Sequence, residues 1–254
     1  MTTESPPRWI EPEHEGESRL ALDLIPAASS NSRLWVFLHG LSSSRRGDKA
    51  LYFARQIARR GEAFASLDMT GHGDSEGDLF GLSLSRNLRD VERGIVYLEE
   101  QLGSLQTIHL VGSSMGGLAA LWYSARHPGR IGRNIVIAPA FEMAGRMLLG
   151  LGRERARSWR QSGRTKIRAG ATEFELSYDF VEDETRYPTV GLMKRLTTPT
   201  LIVHGSDDEV VPCQLSRQFS ERTAGVDLHV VDGGDHRLTS EKETLFDLMW
   251  RFAG

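Results

Sequence analysis

A chain of 254 residues is long enough for one α/β domain with a small insertion, and a second complete domain is not needed. Its 31 basic and 34 acidic side chains give a net charge of -3, so the overall charge gives no reason to expect a nucleic-acid or membrane partner. The single cysteine, Cys213, excludes an intramolecular disulfide framework and leaves too few thiolates for a structural zinc site.

The first 17 residues are polar and acidic and include three prolines. They lack the basic start and the apolar core of a signal peptide, so we expect a flexible leader ahead of a domain over residues 18–254. No apolar stretch approaches the roughly eighteen residues of a membrane span. Because the chain also has only one cysteine, we expect a soluble protein of the reducing cytoplasm.

Beyond the leader, short apolar runs alternate with helical patterns. Residues 19–25 alternate apolar and polar side chains, which is typical of an edge strand covered on one face. Continuous apolar runs, typical of strands buried in a parallel sheet, follow at residues 34–38, 108–111, 135–138 and 201–203, with weaker ones at 63–67 and 227–231. Apolar spacings of three, four and seven over residues 84–102 predict an amphipathic helix. This alternation predicts an α/β fold with a doubly wound, mostly parallel sheet.

Residues 141–196 interrupt this alternation, because they contain no clear strand and separate two sheet-like runs. A structureless loop of that length is unusual inside a compact domain, so we expect a helical cap insertion. Within it, residues 146–168 carry eight basic side chains and one acidic one, Glu154. Two interpretations stay open: a solvent-exposed helix face balanced by its acidic neighbours, or a basic surface that faces substrate.

A candidate nucleophile follows the apolar run at residues 108–111. The sequence Gly112-Ser113-Ser114-Met115-Gly116 stands between that run and a helix-forming stretch, which is the strand, turn and helix context of a nucleophile elbow. Glycines are needed on both sides of the serine because flanking Cβ atoms would clash in so sharp a turn. We therefore predict Ser114 as the nucleophile, with Ser113 at the variable position of the motif.

Two backbone groups are candidates for binding an oxyanion. Gly40 follows the apolar run 34–38 and lets the chain turn sharply toward the nucleophile. The N–H groups of Leu41 and Met115 are then the predicted oxyanion donors and the predicted substrate-binding positions. His39 fits a structural hydrogen-bonding role better than that of a base.

A serine nucleophile needs a base, and the base needs a third group that holds its tautomer. The loop at residues 204–212 follows an apolar run and offers Asp207 and Asp208 as carboxylates. His236 follows the last predicted strand in a glycine-containing turn and is the predicted base. The chain order of serine, acid and histidine is the one found in α/β hydrolases.

Several motifs together resemble the α/β-hydrolase superfamily, namely His39-Gly40, residues 71–75, 112–117 and 204–212, and Asp235-His236. The resemblance implies an α/β-hydrolase fold and a serine hydrolase that cleaves carboxylic esters or thioesters through an acyl-enzyme, with no metal or organic cofactor. It also implies Asp208 rather than Asp207 as the supporting acid. Residues 178–180, 208–212 and 235–238 further resemble the mitochondrial acyl-protein thioesterase and acyl-glucuronide esterase branch of the superfamily.

Other classes of function remain open. The glycines do not form a phosphate-binding loop with its lysine or a dinucleotide-binding fingerprint. A lyase or a perhydrolase could keep the same three residues, since the fold does not decide the reaction class. A binding protein on a hydrolase scaffold is a third possibility, although such proteins usually lose a catalytic residue. The expected partner is a small ester or thioester.

Overall fold

The structure is a computed structural model that describes residues 6–29, 32–103, 107–169 and 172–254. Its strands are β1 (Arg8–Ile10), β2 (Leu20–Ile25), β3 (Leu34–Leu38), β4 (Ala63–Leu67), β5 (Ile108–Ser113), β6 (Ile131–Ile137), β7 (Arg164–Ala169), β8 (Thr172–Ser177), β9 (Thr200–Gly205) and β10 (Val226–Val231). Its helices are α1 (Asp48–Ala58), α2 (Leu84–Leu102), α3 (Met115–Arg126), α4 (Met143–Ser162), α5 (Asp179–Glu184), α6 (Thr189–Arg195), α7 (Cys213–Arg222) and α8 (Lys242–Ala253).

Eight strands form one sheet in the order β1-β2-β4-β3-β5-β6-β9-β10. The pairs β1–β2 and β2–β4 are antiparallel, and every other pair in this sheet is parallel. The predicted doubly wound, mostly parallel sheet is therefore confirmed. Each predicted apolar run overlaps a strand. The inner strands are apolar on both faces because helices cover both faces of the sheet, whereas the edge strand β10 exposes Asp227 and His229.

The alternating side chains of β3 show how the two faces are filled. Leu34, Val36 and Leu38 belong to a core cluster that includes side chains of α2 and α3. Trp35 and Phe37 belong to a second cluster, which includes side chains of α1 and α8. Successive residues of a strand point to opposite faces, so a continuous apolar run places one set in each cluster.

The first described residues differ from the expectation of a loose leader. Arg8–Ile10 forms β1, pairs antiparallel with β2, and buries Ile10 to 7% exposure. Consequently β2 is not the edge strand that the alternation at residues 19–25 predicts. The physical reason is that β2 without β1 would leave a row of unpaired backbone N–H and C=O groups, which a short extended segment satisfies.

The insertion at residues 141–196 holds helices α4, α5 and α6 and also a hairpin formed by β7 and β8. The expected helical cap insertion therefore also contains a hairpin that was not predicted. Its first strand alternates exposed Arg164, Lys166 and Arg168 with less exposed side chains, and only Ile167 is buried. Such a strand carries too few apolar residues to be distinguished from a charged helix face by its sequence.

Candidate active site

Ser114 lies between the end of β5 and the start of α3, in a strained conformation with φ 52° and ψ -114°. This backbone geometry is rare for a residue with a side chain and occurs where the surrounding structure enforces it. A Cβ atom at Gly116 would collide with the backbone carbonyl of Leu38, and one at Gly112 would collide with that of Gly116. The glycines of the motif are thus required by close backbone packing around the turn.

The three residues predicted from the sequence lie together in one hydrogen-bonded chain. His236 Nε2 is 3.0 Å from Ser114 Oγ, and His236 Nδ1 is 2.7 Å from Asp208 Oδ2. A carboxylate only accepts hydrogen bonds, so Nδ1 carries the proton and Nε2 is free to accept the serine hydroxyl. Each of these residues follows the carboxyl end of a parallel strand, which brings them to one edge of the sheet.

Asp208 is held as an anion by the groups around it. Its side chain is fully buried, and its Oδ1 accepts the backbone N–H groups of Val210 at 2.8 Å and Val211 at 2.7 Å. Burial by itself raises the pKa of Asp208. Hydrogen bonds from His204, His236 and the Val211 backbone outweigh burial and leave the pKa of this carboxyl well below its usual range. The group next to His236 is therefore charged at neutral pH.

Asp207 points elsewhere, although it is adjacent in sequence. It is exposed, and its Oδ1 accepts the Ser206 hydroxyl at 2.8 Å. The residue that contacts the histidine is the one that the family resemblance implies.

His204 contacts Asp208, and this contact was not predicted from the sequence. It is fully buried, and its Nε2 is 3.0 Å from Asp208 Oδ2 and 2.9 Å from the carbonyl oxygen of Val211. Both of those atoms are acceptors, so Nε2 carries a proton and donates to them. Its Nδ1 lies 2.7 Å from Ser216 Oγ. A histidine at the end of a buried strand, four residues before the acid, was the available signal.

We expect His204→Leu to lower kcat for an ester substrate by about tenfold, because Asp208 loses a charge-assisted hydrogen bond that fixes its position. His204→Gln, whose amide can still donate, should recover much of the loss. Ser216→Ala, which spares the bond to Asp208, should change kcat by less than about threefold. Steady-state kinetics on variants with matched circular dichroism spectra test this. Equal losses for Leu and Gln would show that His204 only fills space.

His39 has the structural role expected of it. Its Nδ1 is 2.8 Å from the carbonyl oxygen of Gly40, and its Nε2 accepts the backbone N–H of Met69 at 3.0 Å. Burial lowers the pKa of His39 to about 4, so the ring is neutral and fixed between two backbone groups. It thereby holds the turn at Gly40, where an added Cβ would lie 3.2 Å from Ser114 Cβ.

Two cavities meet at Ser114 and His236, and both are also lined by Leu41, Ser42 and Arg237. The serine-lined cavity, about 470 Å³, is further lined by Phe37, Gly40, Ser43, Ser44, Gly47, Asp48, Lys49, Ala50, Ser113 and Thr239. The cap cavity, about 390 Å³, is further lined by Ala140, Met143, Arg146, Met147, Ile167, Arg168, Ala169, Val210 and Val211. A substrate bound at Ser114 therefore meets a polar wall on one side and a largely apolar wall on the other.

The predicted oxyanion positions adjoin these cavities. Leu41 lines both of them, and Met115 follows Ser114 as the first residue of α3. The first N–H groups of a helix have no partner within the helix, so that of Met115 remains available to a ligand. The positive end of the α3 dipole also favours negative charge beside Ser114.

The basic side chains at residues 146–168 fall into two groups, one exposed to solvent and one that faces the site. Arg153, Arg155, Arg157 and Arg160 are exposed on α4 and line neither cavity. Arg164 and Lys166 pair across the hairpin with glutamates at 3.7 and 3.4 Å. Of the eight basic side chains in this stretch, only Arg146 and Arg168 line the cap cavity. Most of the stretch is thus a solvated surface, and its two terminal arginines face the site.

Residues 6–29, 32–103, 107–169 and 172–254 contain no group of three or more His, Cys, Asp or Glu side chains arranged to hold a metal ion. Over the same described ranges, no helix is both long enough and apolar enough to cross a membrane.

Two comparisons of sequence relate this chain to known proteins. A family model described as the alpha/beta hydrolase family matches residues 35–246. The mouse protein named mitochondrial palmitoyl-protein thioesterase ABHD10 is 26% identical over 213 residues, which cover 82% of this chain and 70% of that protein. A monoacylglycerol lipase of Mycolicibacterium smegmatis is 24% identical over 253 residues, with 90% and 89% covered.

Solved structures show the same fold. The structure of alpha/beta hydrolase domain-containing protein 10 from mouse has a TM-score of 0.80 at 22% identity and covers 97% of this chain and 98% of its own. The esterase Est1E from Butyrivibrio proteoclasticus with bound ferulic acid has a TM-score of 0.81 at 23% identity, with 96% and 98% covered. The predicted α/β-hydrolase fold and the predicted class of enzyme, a hydrolase of the esterase or thioesterase type, are confirmed. Because the family model matches most of the length of the chain, the chain belongs to the alpha/beta hydrolase family.

Proposed function

We propose that the protein hydrolyses carboxylic esters or thioesters through an acyl-enzyme, with Ser114 as nucleophile, His236 as base and Asp208 as supporting acid. The observation that carries this proposal is the hydrogen-bonded chain from Ser114 Oγ through His236 to the buried carboxylate of Asp208. A serine hydroxyl is a weak nucleophile unless a base at this distance takes its proton during attack.

In the first step, Ser114 Oγ attacks the carbonyl carbon while His236 Nε2 takes its proton. The carbonyl oxygen gains the negative charge, which the N–H groups of Leu41 and Met115 are proposed to stabilise. Asp208 stabilises the imidazolium that forms. The carbonyl is restored when the bond to the leaving group breaks, and His236 gives its proton to the departing oxygen or sulfur.

In the second step, a water molecule attacks the acyl-enzyme. His236 takes one proton of the water, the oxyanion again rests on the proposed donors, and collapse releases the carboxylic acid while the proton returns to Ser114. Every proton and charge in this sequence is carried by the chain's own residues, the substrate and water.

The cap cavity suits the acyl group of the substrate. Met143, Met147, Ile167, Val210 and Val211 give it an apolar wall that removes hydrocarbon from water. The relatives named palmitoyl-protein thioesterase and monoacylglycerol lipase are, by their names, enzymes that act on acyl groups. We therefore propose a small acyl ester or thioester as substrate. A cytoplasmic location stays a prediction, since the mouse relative is named as mitochondrial.

A fluorophosphonate probe should label the protein at Ser114, and p-nitrophenyl esters and acyl-coenzyme A thioesters of graded chain length should be hydrolysed with a burst at early times. Mass spectrometry of the labelled peptide locates the modified serine. An unlabelled, inactive protein would favour the binding-protein alternative. Labelling without hydrolysis, together with cleavage of a cyanohydrin or formation of a peracid, would favour the lyase or perhydrolase alternative.

A further inference from the structure

The serine-lined cavity differs in chemistry from the cap cavity with which it shares Ser114 and His236. Its distinguishing wall carries the hydroxyl groups of Ser43, Ser44 and Thr239 and the amine of Lys49. Hydroxyl and ammonium groups retain their hydration in an empty site and release it at low cost only to a ligand that replaces those hydrogen bonds. An acyl chain offers none, whereas a polar leaving group does.

Lys49 is the second residue of α1 and is the group whose charge can select a ligand. Its Nζ donates one hydrogen bond to the backbone carbonyl of Arg237, which holds the amine beside the turn that carries His236. An ammonium has three donors, so this contact leaves donors for a ligand. The charged side chains of the wall are Lys49, Arg237 and Asp48, so cations outnumber carboxylates there before His236 is counted.

The cap cavity also contains arginines, because it shares Arg237 with the serine-lined cavity and adds Arg146 and Arg168, so positive charge by itself does not distinguish the two cavities. The two additional arginines are placed differently from Lys49. Arg146 donates to the backbone carbonyls of Phe141 and Val210, and Arg168 is exposed at the end of β7. The apolar side chains between them leave the cap cavity as the favoured place for hydrocarbon. The other part of the substrate then occupies the serine-lined cavity.

We infer that the serine-lined cavity is the leaving-group site and that Lys49 favours substrates whose leaving group carries a negative charge. This inference rests on the proposed function, since only acyl transfer at Ser114 divides the substrate into an acyl part and a leaving group. It assigns a specificity role to a residue that takes no part in the chemical steps at Ser114.

The titration of Lys49 makes the inference testable by pH. Burial, together with the positive charge of Arg237, lowers the pKa of Lys49 to about 8, against the opposing effect of the carboxylates of Asp235 and Asp48. Lys49 is therefore mostly charged at pH 7 and mostly neutral at pH 9. Selectivity that depends on its charge should be present below pH 8 and should fade as the pH rises through 8.

The test uses two chromogenic esters of equal acyl length, 4-nitrophenyl butyrate and 3-carboxy-4-nitrophenyl butyrate, which differ by one carboxylate on the leaving group. The measured quantity is the ratio of kcat/KM for the charged ester to that for the neutral ester. Effects on Ser114 or His236 act on both esters and cancel in this ratio. Titration with a fluorophosphonate counts the active sites of each variant.

At pH 7, Lys49→Met should lower this ratio by about fivefold, the size expected for one partly exposed ion pair, and Lys49→Arg should keep it. Lys194→Met, which removes an exposed lysine of α6 outside both cavities, should leave the ratio unchanged. Between pH 7 and 9 the ratio should fall in the wild type and stay flat in Lys49→Arg, since arginine does not lose its charge there.

Three results would overturn the inference. The first is an equal ratio in the wild type and in Lys49→Met. The second is a wild-type ratio that does not fall between pH 7 and 9. The third is a ratio that is lowered by Arg168→Met and not by Lys49→Met. The last result would place the carboxylate in the cap cavity. A wild type that hydrolyses neither ester would contradict the proposed function instead, so the two failures are distinguishable.

Discussion

Ser114→Ala and His236→Ala should each lower kcat for ester hydrolysis by about four or more orders of magnitude while the protein stays folded. Without the hydroxyl there is no nucleophile, and without the imidazole nothing takes its proton, so either change removes the same chemical step. The double variant should be little worse than either single variant, since the residues act as one unit. Single-turnover kinetics with a p-nitrophenyl ester measure the loss of activity, and thermal unfolding curves measure whether each variant stays folded.

Ser113→Ala is the matched control, because Ser113 is the adjacent serine and also lines the serine-lined cavity. It terminates β5, whereas Ser114 has the positive φ that directs its hydroxyl to His236. The control should cost far less activity. If Ser113→Ala were the inactive variant and Ser114→Ala were active, the assignment of the nucleophile would be wrong.

Asp208→Asn should lower kcat by about three to four orders of magnitude. Every described hydrogen-bond partner of this carboxylate donates: His236 and His204 to Oδ2, and the backbone N–H groups of Val210 and Val211 to Oδ1. An asparagine must place its own NH₂ group against one of these two pairs. Either orientation sets donor against donor, so the imidazole loses its tautomer or the loop shifts.

Asp207→Asn provides the comparison, because Asp207 is exposed and bonds only to Ser206 in the side-chain contacts described. We expect a change in kcat of less than about threefold, as for an ordinary surface position. Kinetics of the two asparagine variants over a range of pH would distinguish a change in the tautomer of His236 from a loss of folding. A severe effect at Asp207 with a mild one at Asp208 would contradict the observed arrangement of the loop.

The parallel strands of the sheet and the turn at Ser114 could be predicted from the sequence because their causes are local. A strand buried on both faces needs a continuous apolar run, as in β3, and a sharp turn with packed backbone needs Gly112 and Gly116. His236 could be found for a similar reason, since it follows a strand in a glycine-containing turn. The catalytic roles of these residues stay predictions until the variants are measured.

Other features depend on contacts between distant parts of the chain. Three strands, β1, β7 and β8, carry too few apolar residues to be recognised from the sequence. They are defined by backbone hydrogen bonds to a partner strand. The candidate active site also depends on contacts between distant parts of the chain. The contact of His204 with Asp208 and the separation of a polar from an apolar cavity arise only when the ends of several strands meet at one edge of the sheet. Local sequence determined which side chains reach that edge, and tertiary packing decided which of them touch, because hydrogen bonds and cavities depend on distances that periodicity does not encode.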